Sequence, residues 1–405
     1  MKKSIIFFSV LVLALIFSLQ CNSPGGKGGS GGGGDSGGGG DSGGGGGSGF
    51  IKTVESTGNV GIASSIAVDG NNNIYISYYD GTNVNLKIAK STNGGIDWTT
   101  KTVDSTSGVG NHNSIAIDGN NNIYISYYGV SSNGLKFAKS TNGGVDWMTK
   151  IVDSTSGVGK HNSIVVDGNN NIYISYYGGT DNGLKFAKST NEGDDWTITT
   201  VDSNNQFVGW FTSIEVNGDN VYISYYDSSN SELKIAKSIN GGVNWTTKIV
   251  DLPSVVGEYN GKYTSIAVNG SNIYISYLDF FPLADVKLKI AKSTNEGDDW
   301  TIKELDSIAN FVSGNYDTSI AVNGNNIYIS YCCMLGSLNY NIKIVKSTNG
   351  GVDWTTKIVD PTEYLNLGCD TPIAIDGSKN IYISYYDGWL GNLMIAKSTD
   401  GGATW

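Results

Sequence analysis

The sequence predicts an all-β fold, a seven-bladed β-propeller of four-stranded antiparallel blades, and three observations lead there. First, the pattern Ser, any, Asn or Asp, any, Gly, any, any, Trp occurs seven times. Its tryptophans, Trp98, Trp147, Trp196, Trp245, Trp300, Trp354 and Trp405, are 49, 49, 49, 55, 54 and 51 residues apart. Second, the stretches between copies are short runs rich in Ile, Val, Tyr and Thr, separated by Asn- and Gly-containing turns, which is the signature of strands. Third, the last copy is followed by no strand, while a run that matches the missing one, residues 50–56, stands alone ahead of the first repeat. A fixed period overrides the expectation that 405 residues make two or three domains, because stacked repeats bury one extended core.

In chain order, residues 1–21 ("MKKSIIFFSVLVLALIFSLQC") carry two Lys, an apolar run and then Cys21, the pattern of a targeting segment that is no part of the folded domain. The run ending in Cys resembles a bacterial lipoprotein signal. The resemblance implies acylation at Cys21 and an exported protein of the cell envelope, at the outer membrane or cell surface, touching membrane through its lipid anchor only. Residues 22–49 are Gly-rich with nothing apolar to bury, and so form a flexible tether with a reach of about 25–30 Å.

Residues 50–405 form the propeller. One unit reads "SIAVDG", "NNNIYISYYD", "LKIAKS", the Trp motif, then "WTTKTVD". Both faces of "IYISYY" are apolar or aromatic, so each small sheet needs a neighbour on either side. The turns "DGNNN", "NGDN" and "NGSN" supply the residues that tolerate positive φ in tight hairpins. Blades are expected at about 64–104, 113–153, 162–202, 212–251, 264–306, 318–360 and 371–405, the last completed by 50–56. Closing the ring removes the exposed sheet edges of an open array.

The repeated motif resembles the Asp box, or BNR repeat, of the sialidase superfamily. Six copies place Asn where that family most often has Asp, and Asp400 keeps the carboxylate. Either side chain can hydrogen-bond the turn, so the motif reads as a hairpin lock with Trp plugging the blade edge. What the resemblance implies about activity fails on composition. Sialidase chemistry uses three Arg side chains to clamp a sugar carboxylate, and every one of the 26 basic side chains here is Lys. The expectation is therefore not an enzyme of that kind, with no cofactor and no metal. The net charge of −11 also excludes nucleic acid as a partner.

Antiparallel connectivity puts the uniform Asp-box hairpins on one face and the loops that vary between blades on the other. Loops on a rigid scaffold are where binding resides. Aromatic residues on the variable face are therefore the ligand-binding candidates: Trp210, Phe211, Tyr259 and Tyr263 in the loops entering blades four and five, Phe280 and Phe281 after the second strand of blade five, and Tyr364 and Trp389 around blade seven. Exposed aromatics beside Asn and Asp suit a glycan or a protein surface. Glu215, which stands where most copies have Ala, and the loop residues Glu258 and Glu363 are the carboxylates available for glycoside hydrolysis, the alternative reading; a purely structural envelope protein is a third. His112 and His161 occupy equivalent positions in adjacent blades and are expected to approach each other near the channel mouth. Cys369 is expected to bridge to Cys332 or Cys333 as a staple between blades. The expected molecule is a monomeric, tethered surface binding module for a glycan or protein.

Overall fold

The computed structural model describes residues 49–130, 134–179, 183–203, 207–255, 257–281, 286–308, 317–335, 339–365 and 370–405, with the side chains at 308, 333–335, 339–340 and 362–365 excepted. Seven four-stranded antiparallel sheets follow one another along the chain. Blade one runs through Val60–Val68, Ile74–Asp80, Asn85–Ser91 and Thr99–Asp104, innermost strand first. Blade seven has Ile373–Ile375, Ile381–Asp387 and Asn392–Ser398, and takes its outermost strand from Phe50–Glu55 at the other end of the chain. The pairing is antiparallel, with Phe50 opposite Lys397 and Thr53 opposite Met394. The ring is closed as the unmatched strand foretold.

The core lies between blades rather than within them. Along the second strand of blade one Ile74, Tyr75, Ile76, Ser77 and Tyr78 are all buried. Tyr75 packs with Ile115, Ile123 and Ile125 of blade two, and Ile76 packs with Leu393 and Ile395 of blade seven. Strict alternation thus sends successive side chains into two different interblade layers, and seven such layers make up the core.

The turns are locked by their own side chains. Asp69 Oδ1 accepts the backbone N–H of Asn71 and of Asn73, each at 2.9 Å, and Asn72 takes φ of 62°. In the Asp box of blade one Ser91 Oγ accepts the Gly95 N–H at 2.9 Å, Asn93 Oδ1 accepts the Asp97 N–H at 2.9 Å, and Trp98 Nε1 donates to the Gly95 carbonyl at 3.0 Å. Trp98 itself packs against the layer between blades seven and one. The motif is a hairpin lock with an interblade plug.

Polar rungs run from blade to blade. On the innermost strands a Ser hydroxyl accepts the N–H of an Ile in the next blade: Ser65 from Ile115, Ser114 from Ile164, Ser163 from Ile214, Ser213 from Ile266, Ser265 from Ile320 and Ser319 from Ile373, all at 3.2–3.3 Å. The seventh position is Pro372, which has no hydroxyl. A second set of rungs begins at the Ser of each second strand, and its last member, Ser384 with Ser64 at 3.1 Å, spans the closure. Farther out, a Tyr hydroxyl donates to a carboxylate of the preceding blade, as Tyr127 does to Asp104 at 2.7 Å and Tyr385 to Asp360 at 2.6 Å.

One local feature differs from the expected strands. The innermost strand of blade one begins at Val60, four residues ahead of the expected blade edge at 64, and passes through register shifts between Val60 and Ile62 and between Ile62 and Ser65. Within this bulge Gly61 has φ of 103° and Ala63 φ of 51°; blades two to five repeat it at Gly110 and His112, Gly159 and His161, Gly209 and Phe211, Gly261 and Tyr263. A Cβ on Gly110 would stand 2.8 Å from Leu86 Cα in the preceding blade. Gly110→Ala is therefore expected to cost about 2–4 kcal/mol in urea or thermal unfolding, from positive φ and backbone collision together. Gly119→Ala, at a turn position with nothing within 4 Å of the added methyl, should leave the midpoint within experimental scatter.

Candidate functional site

The bulges decide where function can lie. In each of blades one to five they turn the residue at positive φ toward the propeller axis on the variable face: Ala63, His112, His161, Phe211 and Tyr263. The same register position, two residues before the rung Ser or its Pro replacement, is held by Asp317 in blade six and Asp370 in blade seven. All seven line one cavity of about 460 Å³ at the axial mouth. The next blade fixes four of them in place through the backbone carbonyl. Asn113 Nδ2 donates to the Ala63 carbonyl, Asn162 Nδ2 to that of His112, Thr212 Oγ1 to that of His161 at 2.8 Å, and Thr318 Oγ1 to that of Tyr263 at 2.9 Å. A β-branched or bulky residue at positive φ is strained, so an imposed conformation that recurs at Phe211 and Tyr263 belongs to the architecture.

A seven-fold scaffold thus carries an asymmetric ring of side chains. His112 and His161 approach to 4.5 Å between ring centroids, and the arc continues from His161 to Phe211 at 4.5 Å and from Phe211 to Tyr263 at 4.2 Å. Trp210 backs this arc, 5.1 Å from His161 and 5.2 Å from Tyr177. Burial, with the ammonium of Lys160 nearby, pulls His112 down to about 4. Burial, the neighbouring His112 and Lys160 hold His161 well below its ordinary value. Both imidazoles are neutral at pH 7.

Opposite in character are Asp317 and Asp370. Desolvation, with the Asp370 carboxylate beside it, pushes Asp317 well above the usual carboxylate range. Desolvation raises Asp370 to about 6, although its carboxylate accepts the Ala63 N–H at 2.9 Å across the closure. Like charges held together in a half-enclosed space cost stability, and such costs concentrate at functional sites. Among the described residues no three His, Cys, Asp or Glu side chains gather as a metal ion would need.

The other candidates are distributed around this mouth. Phe280 is buried and lies 6.1 Å from Tyr263. Tyr259 is 40% exposed and stacks under the Lys262 ammonium, 4.5 Å from its ring centroid. Phe281 meets Lys287 at 5.0 Å instead of joining the arc. Trp389 is 67% exposed on the turn between the second and third strands of blade seven and does not line the cavity. Glu215 is half-buried on the innermost strand of blade four, raised to about 7 by desolvation, and does not line the mouth. Glu258 turns inward: its carboxylate accepts the Ser254 hydroxyl at 2.7 Å and the Val255 N–H at 3.1 Å, and these bonds hold it below its ordinary value against burial. It caps a loop. Cys332 is fully buried. The Cys333, Tyr364 and Glu363 side chains, and Cys369 and Cys21, lie outside the described residues.

A second crevice of similar size, about 440 Å³, lies on the Asp-box face between blades one and two, lined by Trp98, Lys90 and Gly143. It is built from parts that recur around the ring, whereas the mouth gathers the side chains that differ. The mouth is the candidate site.

No protein-family model matches this sequence, and no curated protein sequence does. Solved structures do match. An α-L-arabinanase from Penicillium chrysogenum superposes with a TM-score of 0.52 at 10% identity, covering 88% of this chain and 99% of that one. An α-L-arabinofuranosidase of glycoside hydrolase family 93 from Fusarium graminearum gives 0.50 at 10% identity over 86% and 96%. A protein of unknown function from Dyadobacter fermentans gives 0.52 at 12% identity over 72% and 96%. The likeness is one of fold.

The raised carboxyls carry a consequence for stability. A group bound to its proton more tightly in the folded chain than in the unfolded one favours folding below the unfolded pKa, near 3.9, and loses that contribution as pH rises through about 6. Asp370→Asn keeps an acceptor for the Ala63 N–H and removes the charge. It is expected to raise stability at pH 7 by on the order of 1–2 kcal/mol, an allowance reduced for the carboxyl's partial access to channel water. The gain should vanish below about pH 4 in urea unfolding.

Proposed function

We propose that this chain is a glycan-binding propeller, exported and tethered through its Gly-rich segment, that takes a sugar unit into the axial mouth. One observation carries the reading: the scaffold's seven equivalent axial positions include two aromatic rings in contact, Phe211 tilted against Tyr263 at 4.2 Å, beside the paired carboxyl groups of Asp317 and Asp370. A ring face suits the apolar face of a pyranose or furanose, and carboxylates accept from its hydroxyls. The cavity has the size of a small-molecule site. Two proteins of similar fold are hydrolases named for arabinan-type substrates, which supports a carbohydrate over a protein as the ligand.

Glycoside hydrolysis is the second reading, favoured by Asp370. A carboxyl raised to about 6 is suited to donate a proton to a leaving oxygen, and the Asp317 carboxyl beside it is raised as well, so the two can share one proton.

A glycan array probed with the full chain tests the first reading. Saturable binding is expected, weakened about tenfold or more by Phe211→Ala or Tyr263→Ala, the scale of losing one stacked ring. Trp389→Ala, away from the cavity, is expected to change it less than twofold; the reverse ranking would move the site to the rim. Reducing-end release from a bound glycan, abolished in Asp370→Asn, would establish hydrolysis, and binding without release would exclude it for that glycan.

A further inference from the structure

We infer that the axial mouth selects glycans that carry a free amine, the ammonium lying between the Asp317 and Asp370 carboxylates and the sugar ring on Phe211 and Tyr263. This rests on the mouth being a glycan site and names the class of sugar it prefers.

The charges around the cavity point one way. Its lining includes two carboxylates and no Lys. The two imidazoles that complete the ring are held neutral by burial and by Lys160. On the strands that enter this ring, Lys160 is engaged over the Tyr128 ring at 5.5 Å. Lys262 is engaged over Tyr259, Phe280 and Tyr226 at 4.5, 5.1 and 5.8 Å. Neither lines the cavity, so among the described residues no ammonium is paired with the two carboxyl groups.

Two carboxylates buried between blades have their own cation. Asp104 receives Lys136 at 2.5 Å and Asp202 receives Lys234 at 2.5 Å, each with a Tyr hydroxyl completing the set. At the mouth the anionic and aromatic parts of this arrangement recur without the ammonium. A ligand amine supplies it, with charge-assisted hydrogen bonds to the carboxylates and cation–π attraction from the Tyr263 and Phe211 faces. The rings around Lys262 are the intramolecular precedent, since aromatic faces on this same rim already accept an ammonium. The overall charge of −11 favours encounter with a cation. An N-acetylated sugar loses both attractions and leaves the pair uncompensated.

Calorimetric titration of the full chain at pH 7 with glucosamine tetramer, N-acetylglucosamine tetramer and tetramethylammonium chloride decides it. The expected result is that the amine tetramer binds at least tenfold more tightly than the acetylated one, and that Asp317→Asn with Asp370→Asn brings the two within twofold. Thermal unfolding of the same variant confirms that it is folded. Equal affinity, or preference for the acetylated tetramer, overturns the inference and leaves the glycan reading standing. Binding of tetramethylammonium with neither tetramer overturns both, by showing a cation pocket that takes no sugar. Binding by none of the three also overturns both.

Discussion

Every blade depends on a partner it does not contain. A four-stranded sheet apolar on both faces is insoluble alone, and each interblade layer is finished only when the next sheet arrives. The innermost Ser-to-amide rungs fix the angle and height at which that happens, because a hydroxyl at 3.2–3.3 Å from a defined backbone N–H tolerates little sliding. Tyr and Asp add a second constraint farther from the axis. With each junction repeated in the same geometry, the circle and its axial opening follow, and so does the inward aim of one residue per blade.

The fold was legible because its determinants are local. Asn and Gly at hairpins, the Ser–Asn–Gly–Trp lock and the two-sided apolar second strand each act within a few residues, and each is satisfied as the sequence implies. Phe50–Glu55 was recognisable as an outermost strand for the same reason. The mouth was only partly legible. His112 and His161 could be paired from their equivalent positions, and Phe211 and Tyr263 stood out as aromatic loop residues. Asp317 and Asp370 did not, because an Asp beside Thr reads as an ordinary loop. Their signal is one of register: counted two back from the rung Ser, or from Pro372, they fall in the same ring as His112 and His161. Glu258 misled for the opposite reason. Its acidity on a variable loop suggested chemistry, but the loop folds the carboxylate onto its own backbone.

The distribution of charge separates scaffold from site. Asp104, Asp153 and Asp202 are buried between blades with a Tyr hydroxyl and a Lys, so the cost of desolvation is met within the fold. Such sets specify which edge of one blade faces which edge of the next more than they add stability. Among the described residues Asp317 and Asp370 have neither a Tyr hydroxyl nor a Lys paired with them, and burial raises both above the usual carboxylate range. A protein that carries uncompensated charge at its axial opening has given up cohesion there.

The absence of a hydroxyl at Pro372 gives that concession a location. Six links of the inner belt are alike, and where the seventh would join last blade to first, the Asp370 carboxylate holds the Ala63 amide instead. The clasp of the belt is therefore one of the groups that faces the opening. Whatever grips that carboxylate grips the buckle, and because any molecule that favours the closed form shifts the balance toward it, occupancy of the opening and the integrity of the whole circle are a single thermodynamic quantity.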